Sequence, residues 1–248
     1  MEKEIKDKFL TLWKKYFKNA ELPITFYYSK GEGNAKAAVK PKKWRCFIAD
    51  LGKVRKGQDI YFNKESLGCN GGKRYLGYTK QLAPTFRYFL SCGIEGELEG
   101  ERYKKTPEIV DELIEHQVNL PIDNKNIVFK RWDKLTETDN PEVVVFFATP
   151  DVLSGLFTLA SFDSADQQSS VTPFGAGCSS IVHYPYLEKD KEDPKAIIGM
   201  FDASARPCVP ENTLSFAVPF KKFVKMINDM EESFLITDTW KTVMKRIK

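Results

Sequence analysis

The sequence predicts a single-domain α+β protein, and three observations lead to this fold class. Helical apolar stripes alternate with short β-branched and aromatic runs along the 248 residues. Hydrophobic residues make up 42% of the chain and charged residues 29%, as is usual for globular proteins. The elements of the first half recur in a similar order in the second. We therefore expect one domain over residues 1–248, built from two pseudo-repeated α/β halves with flanking terminal helices.

The first half opens with an amphipathic helix over residues 2–18, in which Ile5, Phe9 and Trp13 lie on one apolar stripe. β-Branched and aromatic residues predict three strands, over residues 23–28, 59–63 and 126–132. Residues 67–72 predict a turn, and residues 85–91 a short helix. Thr106 and Pro107 suit the N-cap and first turn of a further helix.

The second half contains the same kinds of element. Strands are predicted over residues 143–148, 195–201 and 213–218. Thr149 and Pro150 predict the start of a helix that carries Leu153, Leu156 and Phe157. Two amphipathic helices, one with Phe223 and the other with an apolar stripe that begins at residue 240, are expected to close the chain.

The repeat is predicted over residues 20–92 and 140–232. Each stretch has a strand, a cysteine, a charged loop, a second strand, a second cysteine, a short β-prone segment and an aromatic helix. The β-prone segments are residues 75–78 and 214–218. If the halves arose by duplication, a pseudo-twofold axis would bring equivalent elements together. The alternative is that two unrelated stretches share a common α+β alternation.

The chain lacks a run of about 20 apolar residues, so we expect neither a membrane span nor a membrane partner. The first residues alternate charged with apolar side chains, unlike a secretory signal. We therefore expect a cytoplasmic protein, in which the five cysteines would be reduced thiols, metal ligands or redox groups rather than structural disulfides.

Positive charge is concentrated in the first half of the chain. Residues 1–124 hold 23 Lys and Arg against 17 Asp and Glu, while residues 125–248 hold 15 against 17. Much of the excess lies in one stretch, at Lys36, Lys40, Lys42, Lys43, Arg45, Lys53, Arg55 and Lys56. The stretch is either a solvated surface or a site for an anionic small molecule. Nucleic acid is not expected, because the pI is only about 8.6 and no binding motif accompanies the charge.

Cysteine placement is the most specific feature of the sequence. Cys46 and Cys69 in the first half match Cys178 and Cys208 in the second, while Cys92 has no counterpart. Thiolates bind soft metals and iron–sulfur clusters, so these four residues are candidate metal ligands, although no C-x-x-C spacing is present. The alternatives are buried packing and a reactive low-pKa thiol.

Two glycine-containing segments are candidate binding loops. The first offers backbone amides and charge to an anion or cofactor and comprises Cys69, Asn70, Gly71, Gly72, Lys73 and Arg74. Its alternative is a plain turn. The second comprises Gly177 and Cys178, where small residues permit the close approach of a phosphate or carboxylate.

Two further side chains could act with the cysteines. Arg206 could bind a ligand carboxylate and lower the pKa of Cys208, or form an ordinary salt bridge with Asp202. His183 could pair with Cys178 as a dyad or simply pack among aromatic residues.

The sequence resembles the domain-of-unknown-function 169 family of prokaryotes over most of residues 20–230. The resemblance is carried by Cys46, the run Cys69-Asn-Gly-Gly-Lys-Arg-Tyr-Leu-Gly-Tyr78, Pro150-Asp-Val-Leu153, Cys178 and Cys208. In the family the last cysteine usually precedes a Gly/Arg element, whereas here Val209-Pro210-Glu211 follows it. The resemblance implies the α+β fold and brings no activity with it.

Three functions are compatible with these patterns. The first is binding of a small molecule or cofactor between two lobes, near the cysteines and the basic stretch. The second is an enzyme that depends on a thiol or on a metal cluster. The third is a protein-interaction adaptor whose cysteines are structural only. The patterns identify neither a catalytic residue nor a cofactor, and they do not give the oligomeric state.

Overall fold

The protein folds around one mixed eight-stranded sheet, as seen in a computed structural model that describes residues 1–120 and 126–247. The strands are β1 (Ile24–Ser29), β2 (Lys36–Ala37), β3 (Ile60–Phe62), β4 (Asn126–Arg131), β5 (Val143–Ala148), β6 (Ser170–Val171), β7 (Ala196–Gly199) and β8 (Leu214–Pro219). Their order across the sheet is β2-β3-β4-β1-β5-β8-β7-β6. The predicted α+β fold is confirmed.

Helices cover both faces of the sheet. They are α1 (Lys3–Phe17), α2 (Phe47–Arg55), α3 (Asn70–Tyr75), α4 (Phe86–Phe89), α5 (Pro107–Glu115), α6 (Pro150–Ala160), α7 (Tyr184–Glu188), α8 (Phe220–Asp229) and α9 (Asp238–Met244). A π-helix over Ser179–His183 leads directly into α7. Within the described residues, no helix combines the length and apolar character needed to cross a bilayer.

Alternate residues of the central strands face two separate cores. On one face, Val144 and Phe146 of β5 pack with α1, α6, α8 and α9. Phe9 lies at the centre of that core, with ring centroids 5.1 Å from both Trp132 and Phe223. On the other face, Val143 of β5 packs with α2, α3 and the π-helix, and this second core also contains the cysteines Cys69 and Cys178.

The two halves of the sheet have the same internal order. Reading inwards from each edge, the strands run β2-β3-β4-β1 in the first half and β6-β7-β8-β5 in the second. In each half the edge pair is parallel and the other pairs are antiparallel. The halves meet through the antiparallel β1–β5 pair and so share one sheet rather than forming two separate lobes. This order is what a duplication would produce, and the duplication itself stays a prediction.

The equivalence that the sequence suggested between residues 75–78 and 214–218 is wrong. Tyr75 ends helix α3 and the residues after it are turns, whereas residues 214–218 belong to β8. By position in the sheet, the counterpart of β8 is β4 (Asn126–Arg131). Residues 75–78 include two tyrosines, which suit a strand, but they form the end of helix α3 and the turn after it.

Strand β4 carries a buried ion pair on the face of the sheet opposite the cysteines. The ammonium of Lys130 lies 2.8 Å from the carboxylate of Asp139, and both side chains are 2% exposed. The hydroxyl of Tyr27 and the backbone N–H of Thr136 also donate to this carboxylate, at 2.5 and 2.7 Å. Burial alone would raise the Asp139 pKa, but these hydrogen bonds outweigh it and lower the pKa.

We predict that Asp139→Asn lowers the free energy of unfolding by about 3–5 kcal/mol, because it leaves the Lys130 ammonium buried without a counter-charge. Urea unfolding monitored by circular dichroism measures the change. Glu231→Gln is the matched control, since it breaks the exposed Lys15–Glu231 pair and should leave stability almost unchanged. Equal losses in the two variants would contradict the structural role of the buried pair.

The same carboxylate predicts a loss of stability in acid. The pKa of Asp139 is lower in the folded protein than in the unfolded chain, where it is about 3.9. Its stabilisation is therefore complete above pH ~3.9 and is lost as the pH falls through the folded-state pKa. Urea midpoints measured between pH 2 and 7 should show the gap between wild type and Asp139→Asn narrowing in acid. A constant gap would rule out this titration as the cause.

Candidate functional site

Two of the matched cysteines stand immediately before helices on the same face of the sheet. Cys46 is the N-cap of α2 and follows an exposed loop. Cys178 precedes the π-helix, a rare element that is often found at functional sites. Cys46 lies in the β2–β3 connection and Cys178 in the β6–β7 connection, so the two occupy equivalent places in their halves.

The predicted glycine-rich turn is instead the first turn of helix α3. Cys69 is its N-cap, and the Cys69 Sγ accepts a hydrogen bond from the N–H of Gly72 at 3.2 Å. A Cβ at Gly72 would lie 3.0 Å from this Sγ, and one at Gly71 would lie 4.0 Å from the Sγ of Cys178. The glycines therefore let two sulfur atoms from different halves of the chain flank one helical turn.

Cys208 completes the group from the far end of the chain. It is the last residue of a 3₁₀ turn, Arg206–Cys208, which approaches helix α2 within 8 Å between Cα atoms. Cys69 and Cys178 belong to the second core, and Cys46 and Cys208 pack against it. The structure thus brings four thiols to one core, and we call them the thiol cluster: Cys46, Cys69, Cys178 and Cys208. Cys92 is exposed, and within the described residues its thiol makes hydrogen bonds with Ser91 and Gly93.

Burial and mutual repulsion keep two thiols of the cluster, Cys46 and Cys178, protonated. Loss of solvent raises the pKa of Cys46 to about 12, and the nearby charges of Cys208 and Cys69 act in the same direction. The pKa of Cys178 is also raised, mainly by burial and then by its neighbouring thiols and Asp202. A thiol with a pKa near 12 is ionised in fewer than about one molecule in 10,000 at pH 7.

Asp202 ties together the two loops that carry Cys178 and Cys208. Its carboxylate accepts hydrogen bonds from the N–H of Gly177 at 3.1 Å, from the hydroxyl of Ser204 at 2.8 Å and from the hydroxyl of Tyr103 at 3.3 Å. The expected Asp202–Arg206 salt bridge is not formed, because Arg206 donates to the backbone carbonyls of Glu211 and Thr213. The guanidinium of Arg206 is therefore bound to backbone carbonyls and not to the thiol of Cys208.

The other predicted cationic residues do not line the thiols either. Arg74 is buried, and its guanidinium donates to the side chain of Gln117 at 2.9 and 3.1 Å and to the carbonyl of Lys80 at 2.7 Å. Lys73 is half-buried on the same short helix. Residues 40–45 of the basic stretch form an exposed loop before Cys46, in which Trp44 is 71% exposed, whereas Lys53 and Arg55 lie on helix α2 and Arg55 pairs with Glu21. The exposed cations of the loop are Lys40, Lys42, Lys43 and Arg45.

His183 packs beside the cluster without forming a dyad with Cys178. Its Nε2 lies 2.6 Å from the carbonyl oxygen of Val118, and its ring centroid lies 5.7 Å from that of Tyr75. Burial lowers the pKa of His183, so the ring is neutral. The pKa of Tyr75 is raised to about 12, first by burial and then by the charge of Cys178. The Nδ1 of His183 is buried without a hydrogen-bond partner in the described structure.

The thiols are neighbours, but they are not arranged as the ligands of a metal ion. Among residues 1–120 and 126–247, no group of three or more His, Cys, Asp or Glu side chains is arranged to hold a metal ion. One open cavity of about 470 Å³ is lined by residues 1–4 and Glu137, and a space of about 10 Å³ lies in the core around Phe9. Neither touches the thiol cluster, whose more accessible members are Cys46 and Cys208.

Sequence reasoning missed the contributions of Tyr103 and Asp202. Tyr103 lies in an irregular segment between α4 and α5, and nothing in its local pattern indicates a contact with residues a hundred positions later. The sequence offers Asp202 only as a salt-bridge partner of Arg206. In the folded protein its carboxylate accepts hydrogen bonds from the N–H of Gly177 and from the hydroxyls of Ser204 and Tyr103 instead.

Comparison with known proteins agrees with the resemblance drawn from the sequence. The family model of domain of unknown function 169, described as an uncharacterised ArCR, matches residues 15–229 of the 248. Neither the curated proteins nor the solved structures gave a match.

We predict that Gly72→Ala lowers the free energy of unfolding by about 1–2 kcal/mol, since crowding against the Cys69 Sγ costs more than the helix gains from alanine. Gly71→Ala, one residue earlier in the same helix, meets only an ordinary contact and serves as the control. Urea unfolding compares the two variants, and thiol alkylation shows whether Cys69 becomes more accessible. Similar stability in both variants would contradict the close packing of the helix against Cys69.

Proposed function

The chain belongs to the domain-of-unknown-function 169 family, and from its thiol cluster we propose that it binds a small molecule or cofactor through these cysteines. One observation carries the proposal: four cysteines from four separate connections belong to one core or pack against it. Cysteines that only fill a core have no need to share one location, whereas ligand binding through sulfur requires it.

The distribution of burial within the thiol cluster also favours a site. Cys69 and Cys178 are 8% and 7% exposed, whereas Cys46 and Cys208 are only partly buried. The group therefore has an inner pair held by packing and an outer pair that solvent and ligands can reach. Pre-positioned inner groups reduce the entropy that a ligand must overcome on binding.

The charges near the thiols indicate what the ligand would be like. The groups that raise the pKa of Cys46 and Cys178 are other thiols and the carboxylate of Asp202, so deprotonating the cluster creates uncompensated negative charge. A soft, electron-accepting ligand would relieve that charge, either as a thiophilic metal ion, as an iron–sulfur cluster or as an electrophilic centre in a small molecule. Binding a metal would require the sulfurs to move closer together than they are here.

The exposed basic loop offers a second anchor for the same ligand. Lys40, Lys42, Lys43 and Arg45 precede Cys46 directly and face solvent. An anionic part of the ligand would be attracted to this loop while its soft atom engages the thiols. In this proposal the predicted anionic small molecule meets the cations outside the thiol cluster rather than within it.

The proposal places the protein in a reducing, cytoplasmic setting, because its five cysteines are free thiols. It also disfavours a cysteine that acts as a nucleophile without a ligand, since the pKa of Cys46 is about 12. A thiol- or metal-dependent enzyme remains the alternative in which the bound ligand itself lowers the thiol pKa values.

We predict that Cys46→Ser and Cys208→Ser each abolish ligand retention, because each removes one sulfur of the reachable pair. Protein purified without oxygen is examined by native mass spectrometry, absorption and metal analysis, and the reduced protein is then titrated with Cd²⁺ as a thiophilic probe. Wild type should carry a bound species or bind Cd²⁺ with an absorption band from sulfur ligation.

Cys92→Ser is the matched control, since Cys92 is exposed and lies outside the cluster. It should behave as wild type, and thermal unfolding should confirm that all three variants are folded. If wild type retains nothing and Cd²⁺ binds equally to every variant, the proposal is wrong. The adaptor with structural cysteines would then be the better explanation.

A further inference from the structure

The outer pair of the thiol cluster links the two halves of the chain. Cys46 is the last residue before α2, and Cys208 ends the Arg206–Cys208 turn. Helix α2 and this turn approach each other within 8 Å between Cα atoms, both thiols pack against the second core, and Cys208 is among the groups that raise the pKa of Cys46. Both side chains are partly exposed, so a reagent in solution can reach them.

We propose that Cys46 and Cys208 form a reversible disulfide in response to a low-molecular-weight disulfide such as oxidised glutathione. The Cys208 thiol loses its proton and attacks a sulfur of the reagent, giving a mixed disulfide and one released thiol. The second protein thiol then displaces the remaining half of the reagent. In sum, two protein thiols and one reagent disulfide become one protein disulfide and two reagent thiols, so the reagent is reduced by the two electrons that the protein loses.

The backbone on each side of this pair can adapt to the bond. A disulfide requires Cα atoms about 4.4–6.8 Å apart and a narrow range of torsion angles. Cys46 follows the exposed loop of residues 38–45, and Cys208 is followed by the loop of residues 209–213. Small movements of either loop can therefore supply the geometry without disturbing the sheet.

The other three cysteines are less suited to this reaction. The Cys69 Sγ accepts the Gly72 N–H and is buried in the second core. Cys178 is equally buried. Cys92 is exposed but lies outside the cluster, so its oxidation would join two molecules or retain the reagent. The structure therefore singles out one intramolecular pair.

Formation of the disulfide would withdraw the outer pair of sulfurs from any ligand. This consequence rests on the proposed function, whereas formation of the bond does not. Oxidation would also join the halves covalently across the junction that β1 and β5 make. The oxidised protein should therefore unfold at a higher temperature than the reduced protein.

The test is oxidation of the reduced, ligand-free protein with oxidised glutathione over a range of redox ratios. Free thiols are counted after denaturation, and the cross-link is located by peptide mass spectrometry. Wild type and Cys92→Ser should each lose two cluster thiols per chain and yield a peptide that joins Cys46 to Cys208. Dithiothreitol should restore both thiols.

The single variants distinguish the proposed pair from other oxidation. Cys46→Ser should stop at the mixed disulfide between Cys208 and glutathione, and Cys208→Ser should keep its remaining cluster thiols reduced. A cross-link between any other cysteines, or no loss of cluster thiols in the folded wild type, would overturn the proposal. Because no ligand is present, a negative result here leaves the Cd²⁺ titration unaffected, and a negative Cd²⁺ result leaves this one unaffected.

Discussion

The short antiparallel pairing of β1 with β5 is the constraint on which the rest of the structure depends. Only three residue pairs are in register, Ile24 with Val145, Thr25 with Val144 and Phe26 with Val143. Because side chains alternate along a strand, this register places Phe26 and Val145 on the same face. A shift of one residue would exchange the faces, and the cysteines of the two halves would no longer share a core.

The two halves of the sheet have the same order of strands, and this explains how cysteines so far apart in sequence come together. Cys46 and Cys178 lie in the connections between the parallel edge pairs, and Cys69 and Cys208 in the connections that follow. Equivalent connections on the same face of a sheet with matching halves converge towards its centre. The pairing across the halves is crossed, since the helix that follows Cys46 contacts the turn that ends at Cys208, and the sulfurs of Cys69 and Cys178 both lie beside the first turn of α3. The cluster is therefore a property of the whole sheet.

Most strands and long helices could be predicted from local pattern. The run Val143–Ala148 is uniformly apolar, and all of it except Ala148 is β-branched or aromatic, so its composition predicts burial on both faces. Helix α5 carried an explicit start signal, and the Thr106 hydroxyl does accept the Ile109 N–H. In such segments the local preference and the tertiary environment favour the same structure.

The site was less predictable because its parts depend on long-range contacts. The Gly71–Gly72 pair normally indicates a turn, and here tertiary packing of the two flanking sulfurs favours a helix in spite of glycine's low propensity. Strands β2 and β6 have two residues each, too short to produce a period-2 pattern. Arg74 and Arg206 resembled ligand-binding cations, but each satisfies carbonyl oxygens of its own fold instead. Sequence alone cannot distinguish these roles, because it does not show which acceptors lie within reach.

The two proposals for the thiol cluster make the same physical demand on it. Burial gives Cys46 little tendency to become a thiolate, as its raised pKa shows. Its proton is lost when the resulting charge is shared, either with a soft ligand or in a covalent bond with Cys208. Ligand and disulfide therefore compete for Cys46 and Cys208. Because burial raises the pKa of Cys46 and Cys178 and the other thiols add to this effect, the chemistry of the cluster should depend on binding or oxidation rather than on either residue as an isolated nucleophile.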